Sequence, residues 1–197
     1  RFTVEGREPV VATKGVMVQV PYRTFYQIEN AGTEPALRFE VNVTRARKLY
    51  PMNETPALVP GFEYVPTRVT GGRGVLDPQN RPVVDFGKVM AGEERGGAFV
   101  TDDRSFANII MGPYQKPQPG NKGHYHEEGG EFWLIMLGKI RYNIEGLSVF
   151  EADQGDIVYV PKQRFHLASF AGDADSCRLA MNGYTDLSHS YEVANAQ

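Results

Sequence analysis

The sequence predicts an all-β chain built on a duplicated small barrel, and three observations carry that prediction. Short runs rich in Val, Ile, Phe and Tyr recur between Gly, Pro, Asn and Asp, at 16–20, 108–111, 132–137, 140–144 and 156–160. Such runs read as strands bounded by turns, the pattern of a β-sandwich or barrel. No long stretch shows the 3.6-residue period of an amphipathic helix, so helix is expected to be minor. The chain also repeats itself. Residue n set against n+140 aligns 1–42 with 141–182 without a gap, and 13 of the 42 pairs are identical. The shared residues include Gly6/Gly146, Gly15/Gly155, Pro21/Pro161 and Gly32/Gly172, turn formers whose spacing fixes strand placement, together with Phe25/Phe165, Arg38/Arg178 and Asn42/Asn182.

From this offset the organisation follows. Residues 1–43 are read as the C-terminal part of a first module, whose opening half is expected upstream of Arg1. Residues 44–96 change texture: Pro51, Pro56, Pro60-Gly61, Gly71-Gly72 and Asp77-Pro78 mark an interdomain linker, with an edge strand expected near 82–86. The aromatics Phe62, Tyr64 and Phe86 favour an ordered linker over a flexible tether. Residues 97–183 are a complete second module, and 184–197 a polar tail.

Bulk properties exclude several classes. With 41% hydrophobic and 23% charged residues the composition is that of an ordinary globular protein. A formal net charge of -3 gives no global attraction for nucleic acid or anionic membrane, and no apolar stretch reaches the ~18 residues of a membrane span. One cysteine, Cys177, forbids an intrachain disulfide and gives a weak preference for a reducing, cytoplasmic setting. It aligns with Leu37, which points to a small buried hydrophobe and not a nucleophile. Phosphate-binding and dinucleotide-binding glycine motifs are absent, as is a nucleophile elbow. The cluster Arg45, Arg47 and Lys48 reads as a solvated face.

The chemistry lies in the second module. The chain has four histidines, and three of them are His124, His126 and His166; Glu131 follows the first pair. Side chains alternate along a strand, so His124 and His126 point the same way with Tyr125 opposite. Glu127-Glu128-Gly129-Gly130 can turn the chain and deliver Glu131 onto the next strand, from which Trp133, Ile135 and Leu137 share its face. A turn after Pro161 then brings in His166. Three neutral imidazoles and one carboxylate form a ligand set for one divalent transition metal (Fe, Mn, Ni, Co or Zn), since Ca and Mg prefer all-oxygen sites. His189, in the tail, reads as solvated. Glu127 and Glu128 read as loop solvation within reach of a pocket mouth. Trp133, Tyr142, Ile144 and Phe170 are expected to point inward, as pocket lining or as ordinary barrel core. Arg164, one strand period before His166, is expected to share its face, where it could bind a substrate carboxylate; the alternative is a solvent-facing turn.

These residues resemble the cupin superfamily. Its first pattern, Gly-x5-His-x-His-x4-Glu-x6-Gly, is met by His124, His126, Glu131 and Gly138, with Gln118 in place of the opening glycine. Its second, Gly-x5-Pro-x-Gly-x2-His-x3-Asn, is met by Gly155, Pro161 and His166, with Gln163 and Phe170 in the glycine and asparagine places. The ligand positions are intact, and the departures fall on turn and packing positions. In the first repeat Gly15, Pro21 and Asn30 fit, but Tyr26 stands in the histidine place. The resemblance implies a double-stranded β-helix (jelly-roll) barrel, and for the whole protein a two-module bicupin with a partial, metal-free N-terminal barrel in this sequence. It also implies barrel pairing, within the chain or in a homo-oligomer. The function implied is a metal-dependent enzyme acting on a small organic molecule, with a dioxygenase-type oxidoreductase the first reading. Isomerase, lyase and decarboxylase activities, or a non-catalytic binding or sensing module, use the same ligands. No separate acid or base is assigned.

Overall fold

A computed structural model describes residues 1–21, 24–42, 49–51, 65–67, 80–101 and 105–182. Most of the expected linker and the whole 184–197 tail, His189 included, lie outside them.

Seven strands build a two-sheet barrel. They are β7 (Gly97–Thr101), β8 (Phe106–Gly112), β9 (Glu131–Leu137), β10 (Lys139–Ile144), β11 (Phe150–Asp153), β12 (Ile157–Val160) and β13 (His166–Phe170), closed by an eighth, β14 (Ser176–Asn182). One antiparallel sheet runs β12-β9-β14-β8-β7 and the other β11-β10-β13. From β9 onward the chain passes back and forth between the sheets, which is the winding of a double-stranded β-helix. Gly138, at φ 66°, makes the step from β9 to β10. A Cβ there would overlap the Ser176 side chain, so the crossing requires glycine.

Strand alternation separates two cores. The inward residues Trp133, Ile135, Ile140, Tyr142, Ile144, Val158, Val160, Phe170 and Ala180 fill the barrel. The outer face of the larger sheet, with Ala107, Ile109, Phe132, Leu134, Cys177, Leu179 and Met181, is also covered. Its cover comes from earlier in the chain: Met17 of β2 (Val16–Val18), Val84 of β6 (Val83–Asp85), and Phe86 and Val89 of the short helix α1 (Phe86–Met90). The expected edge strand near 82–86 is thus present as β6, and it pairs antiparallel with β2. Asp85 caps α1, its carboxylate accepting from the Gly87 and Lys88 amides. Complete burial of Val84 is worth about 1.5–3 kcal/mol, so this cover is an integral part of the sheet.

The internal repeat extends from letters to hydrogen bonds. β1 (Phe2–Val4) pairs with β3 (Tyr26–Ile28) as Phe2 with Ile28 and Val4 with Tyr26. Shifted by 140, these are the β10–β13 pairs Tyr142 with Ala168 and Ile144 with His166. The Phe2–Val10 bridge matches Tyr142–Phe150. The Glu5 amide donates to the Phe25 carbonyl at 2.9 Å, as Glu145 does to Phe165 at 2.9 Å. Gly6 and Gly146, and Gly15 and Gly155, all adopt positive φ. β4 (Leu49–Pro51) and β5 (Val65–Thr67) form a separate parallel pair. Residues 36–42, the counterpart of β14, lie outside any strand, with Leu37, Phe39 and Val41 exposed. Among the described residues no helix is long and apolar enough to cross a membrane.

Cys177 is fully buried in the outer core, and burial pushes its thiol up to about 11. The native protein is therefore expected to resist alkylation by iodoacetamide at pH 8 and to gain one adduct only on unfolding, read by intact mass.

Candidate metal centre

Each of the four predicted ligands is placed by a local constraint. His124 and His166 face one another in an isolated antiparallel bridge: the His166 amide donates to the His124 carbonyl at 2.8 Å, and the His124 amide to the His166 carbonyl at 3.1 Å. Directly opposed residues present their side chains on one face, so the two imidazoles share a side of the sheet. The approach depends on Gly123, at φ 72°, because a Cβ there would overlap the His166 carbonyl oxygen. The Asn121 side chain holds that turn by accepting from the Gly123 amide at 2.8 Å. His126 is fixed through its carbonyl, which accepts from the Gln163 amide at 2.8 Å. Glu131 opens β9 between Val160 of β12 and Asn182 of β14.

The result is a tight cluster. Each residue offers a ligand atom within 4.8 Å of all the others. His126, Glu131 and His166 are buried and His124 is half-buried. The Nε2 atoms of His126 and of His166 each lie 3.2 Å from Glu131 Oε2. Two ligands about 2.1 Å from a shared ion and at right angles stand about 3 Å apart, so the spacing fits a metal. The tautomer fits as well. His166 Nδ1 donates to the Arg164 carbonyl at 2.9 Å, which leaves its lone pair on Nε2. That Nε2 atom is buried and has Glu131 Oε2 as its polar neighbour at 3.2 Å, an arrangement that suits a pair of metal ligands. Burial by itself would raise the Glu131 pKa; the close contacts with His126 and His166 outweigh it and hold the carboxyl at about 2. The carboxyl is therefore ionised at physiological pH, the form that could ligate a metal.

Behind the cluster is an aromatic wall. The Trp133 ring meets the His166 ring edge-on at 5.3 Å and the Tyr142 ring at 5.0 Å; Tyr142 stacks on Phe150 at 5.5 Å. Trp133, Tyr142 and Phe170 are all buried in the barrel core, facing inward as strand alternation predicts. Burial raises the pKa of the Tyr142 phenol, whose hydroxyl has no partner among the described residues.

Arg164 departs from expectation. Its side chain is exposed and lines a surface pocket with Gly146, Leu147, Tyr159 and Pro161, apart from the four ligands. β13 begins only at His166, so residue 164 lies on the turn where the two-residue period does not apply. Its contribution to the site is the backbone carbonyl that orients His166. Gln163, in the glycine place of the second pattern, keeps the left-handed backbone at φ 60°. Glu127 accepts from the Gln163 side chain at 3.4 Å, and Glu128 is exposed. Sequence reasoning passed over Arg178, which projects into the barrel from β14. Its signal was present: Arg178 is one of the identical pairs of the repeat and alternates with the inward Ala180.

No family model matches the chain, and no curated protein does. Solved structures similar to it are cupin and double-stranded β-helix proteins at low identity. A double-stranded β-helix protein from Klebsiella pneumoniae is 16% identical, with 49% of this chain and 84% of that one covered at a TM-score of 0.42. An RmlC-like cupin from Methanocaldococcus jannaschii is 19% identical over 46% and 79% of the two chains, with a TM-score of 0.40. The DMSP lyase DddQ from Ruegeria pomeroyi is 20% identical over 49% and 46%, also at 0.40.

Two substitutions test the placement of the ligands. Gly123→Ala is expected to cost about 2–4 kcal/mol and to remove metal binding, measured by denaturant unfolding and elemental analysis. Gln163→Gly is expected to stabilise by about 0.5–1 kcal/mol, since a non-glycine residue is disfavoured in the left-handed region.

Proposed function

We propose that this protein is a metal-dependent enzyme acting on a small organic molecule, most simply a dioxygenase-type oxidoreductase. The observation that carries the proposal is the convergence of His124, His126, Glu131 and His166 on one point of a barrel interior. A divalent transition metal bound there supplies a Lewis acid with positions open to other ligands, and iron adds reactivity toward dioxygen. The chain's own residues do the rest. His166 is locked in the tautomer that exposes Nε2, and Glu131 stays ionised beside it. Trp133, Tyr142 and Phe150 exclude water from the inner side, which strengthens electrostatic interactions with a bound substrate.

The neighbouring groups offer little for proton transfer. Among the described residues of the aromatic wall, burial makes the Tyr142 phenol a poorer acid, unsuited to act as a base near neutral pH. An isomerase, lyase or decarboxylase working here would draw on the ligands themselves or on the substrate for its proton.

The test is elemental analysis followed by oxygen uptake. Purified protein is expected to hold about one transition metal ion per chain, and His126→Ala to hold none. Protein reconstituted with Fe(II) is expected to consume oxygen with at least one compound of a panel of phenols and keto acids. No bound metal in the wild type would remove the site assignment. Stoichiometric metal with substrate binding and no oxygen uptake would assign the barrel to binding or to non-oxidative chemistry.

A further inference from the structure

The barrel interior holds a charged group that the metal centre does not use. On β14, Arg178, Ala180 and Asn182 alternate with the outward Cys177, Leu179 and Met181, and Ala180 is part of the inner core. Arg178 therefore points into the barrel, between Ile110 of β8 and Ile135 of β9. The β9–β14 register is irregular between Cys177 and Arg178, a device that re-aims a side chain beside functional sites. Two of the guanidinium nitrogens, Nε and Nη1, are buried and have no hydrogen-bond partner. No described carboxylate forms an ion pair with Arg178; the Phe170 ring lies 5.3 Å from the guanidinium carbon, and the charge of Glu131 acts on it only from beyond contact distance. A largely buried cation without a contacting anion is unfavourable, so such a group suits an anionic partner from outside the chain.

The repeat offers a contrast. The counterpart of Arg178 is Arg38, and Arg38 lies 3.4 Å from the carboxylate of Glu40 in an exposed pair. The place of Glu40 in the later copy is Ala180. The arginine recurs and the carboxylate does not. Two more polar atoms on the inward face are likewise unsatisfied: the Tyr142 hydroxyl, which is electrostatically coupled to Arg178, and Asn108 Oδ1 on β8, opposite Ala180. A hydroxyl can donate or accept, and an amide presents both ends, so both can serve a bound oxyanion.

We infer that Arg178, with Tyr142 and Asn108, forms an anion subsite inside the metal-binding barrel, and that the small molecule this barrel takes carries a carboxylate. The inference rests on the reading of the barrel as a substrate-binding metal site. A carboxylate is favoured over phosphate because Arg178 is the one cation on this face among the described residues, and the surrounding Trp133, Tyr142 and Phe170 suit a planar organic acid.

The experiment uses the full chain loaded with zinc, which allows no redox turnover, titrated calorimetrically with benzoate, pyruvate, benzamide and inorganic phosphate. At least one of the two carboxylates is expected to bind, with benzamide at least 10-fold weaker than benzoate if benzoate is the one that binds. Arg178→Met is expected to weaken carboxylate binding at least 10-fold while retaining zinc and an unchanged or raised Tm, because it removes an uncompensated charge. Arg178→Lys keeps the charge without the fork of donors and is expected to fall between. The inference is overturned if neither carboxylate binds, if phosphate binds more tightly than both, or if benzamide equals benzoate. It is also overturned if Arg178→Met binds carboxylate as the wild type does. If Arg178→Met fails to fold, undiminished binding in Arg178→Lys and Tyr142→Phe overturns it. Zinc stoichiometry is read separately: a wild type that holds no zinc but binds benzoate through Arg178 would reject the metal reading and leave the subsite standing.

Discussion

A carboxylate buried between two imidazoles is the constraint around which the barrel is arranged. Removing Glu131 from water is unfavourable by several kcal/mol unless charge and hydrogen bonds replace the lost hydration. The groups that stand against it are His126 and His166, each 3.2 Å from one oxygen. They reach it from different parts of the chain, the 113–130 connection and β13, while Glu131 itself belongs to β9. Satisfying one buried charge therefore ties three segments together. The turns are tuned to the same end: Gly123 lets the backbone of His124 lie against that of His166, and Gln163 takes up a left-handed backbone to hold the carbonyl of His126.

The internal repeat separates what the scaffold needs from what the site needs. Pairing register, turn glycines and the Glu5/Glu145 backbone contacts recur at an offset of 140 residues. Two of the many differences between the copies fall at positions that matter to the site. Tyr26 stands in the place of His166 and is exposed, and Glu40 stands in the place of Ala180. The earlier segments also have a physical role, since β2, β6 and α1 pack on the outer sheet of the barrel.

Much of this was legible in the sequence because strand alternation and ligand spacing are local properties. The four candidate ligands stand out by residue type and spacing, and the inward direction of Trp133, Tyr142 and Phe170 follows from counting in twos along strands whose ends are marked by glycine and proline. Of the two readings of Arg164, the solvent-facing turn holds, because the two-residue count does not extend back past the start of β13 onto a turn that contains Pro161 and the left-handed Gln163. The β2–β6 pairing joins residues far apart in sequence, and hydrophobic period alone does not choose partners at that distance. Arg178 was passed over for a different reason. A charged residue in an apolar strand reads as facing solvent, and only the phase of Ala180 beside it shows the reverse.

The segment at 35–42 bears on how copies of the chain meet one another. Leu37, Phe39 and Val41 face solvent, and Arg38 and Glu40 pair among them. An exposed apolar run of this kind favours association between molecules, and charge placed along it opposes that association.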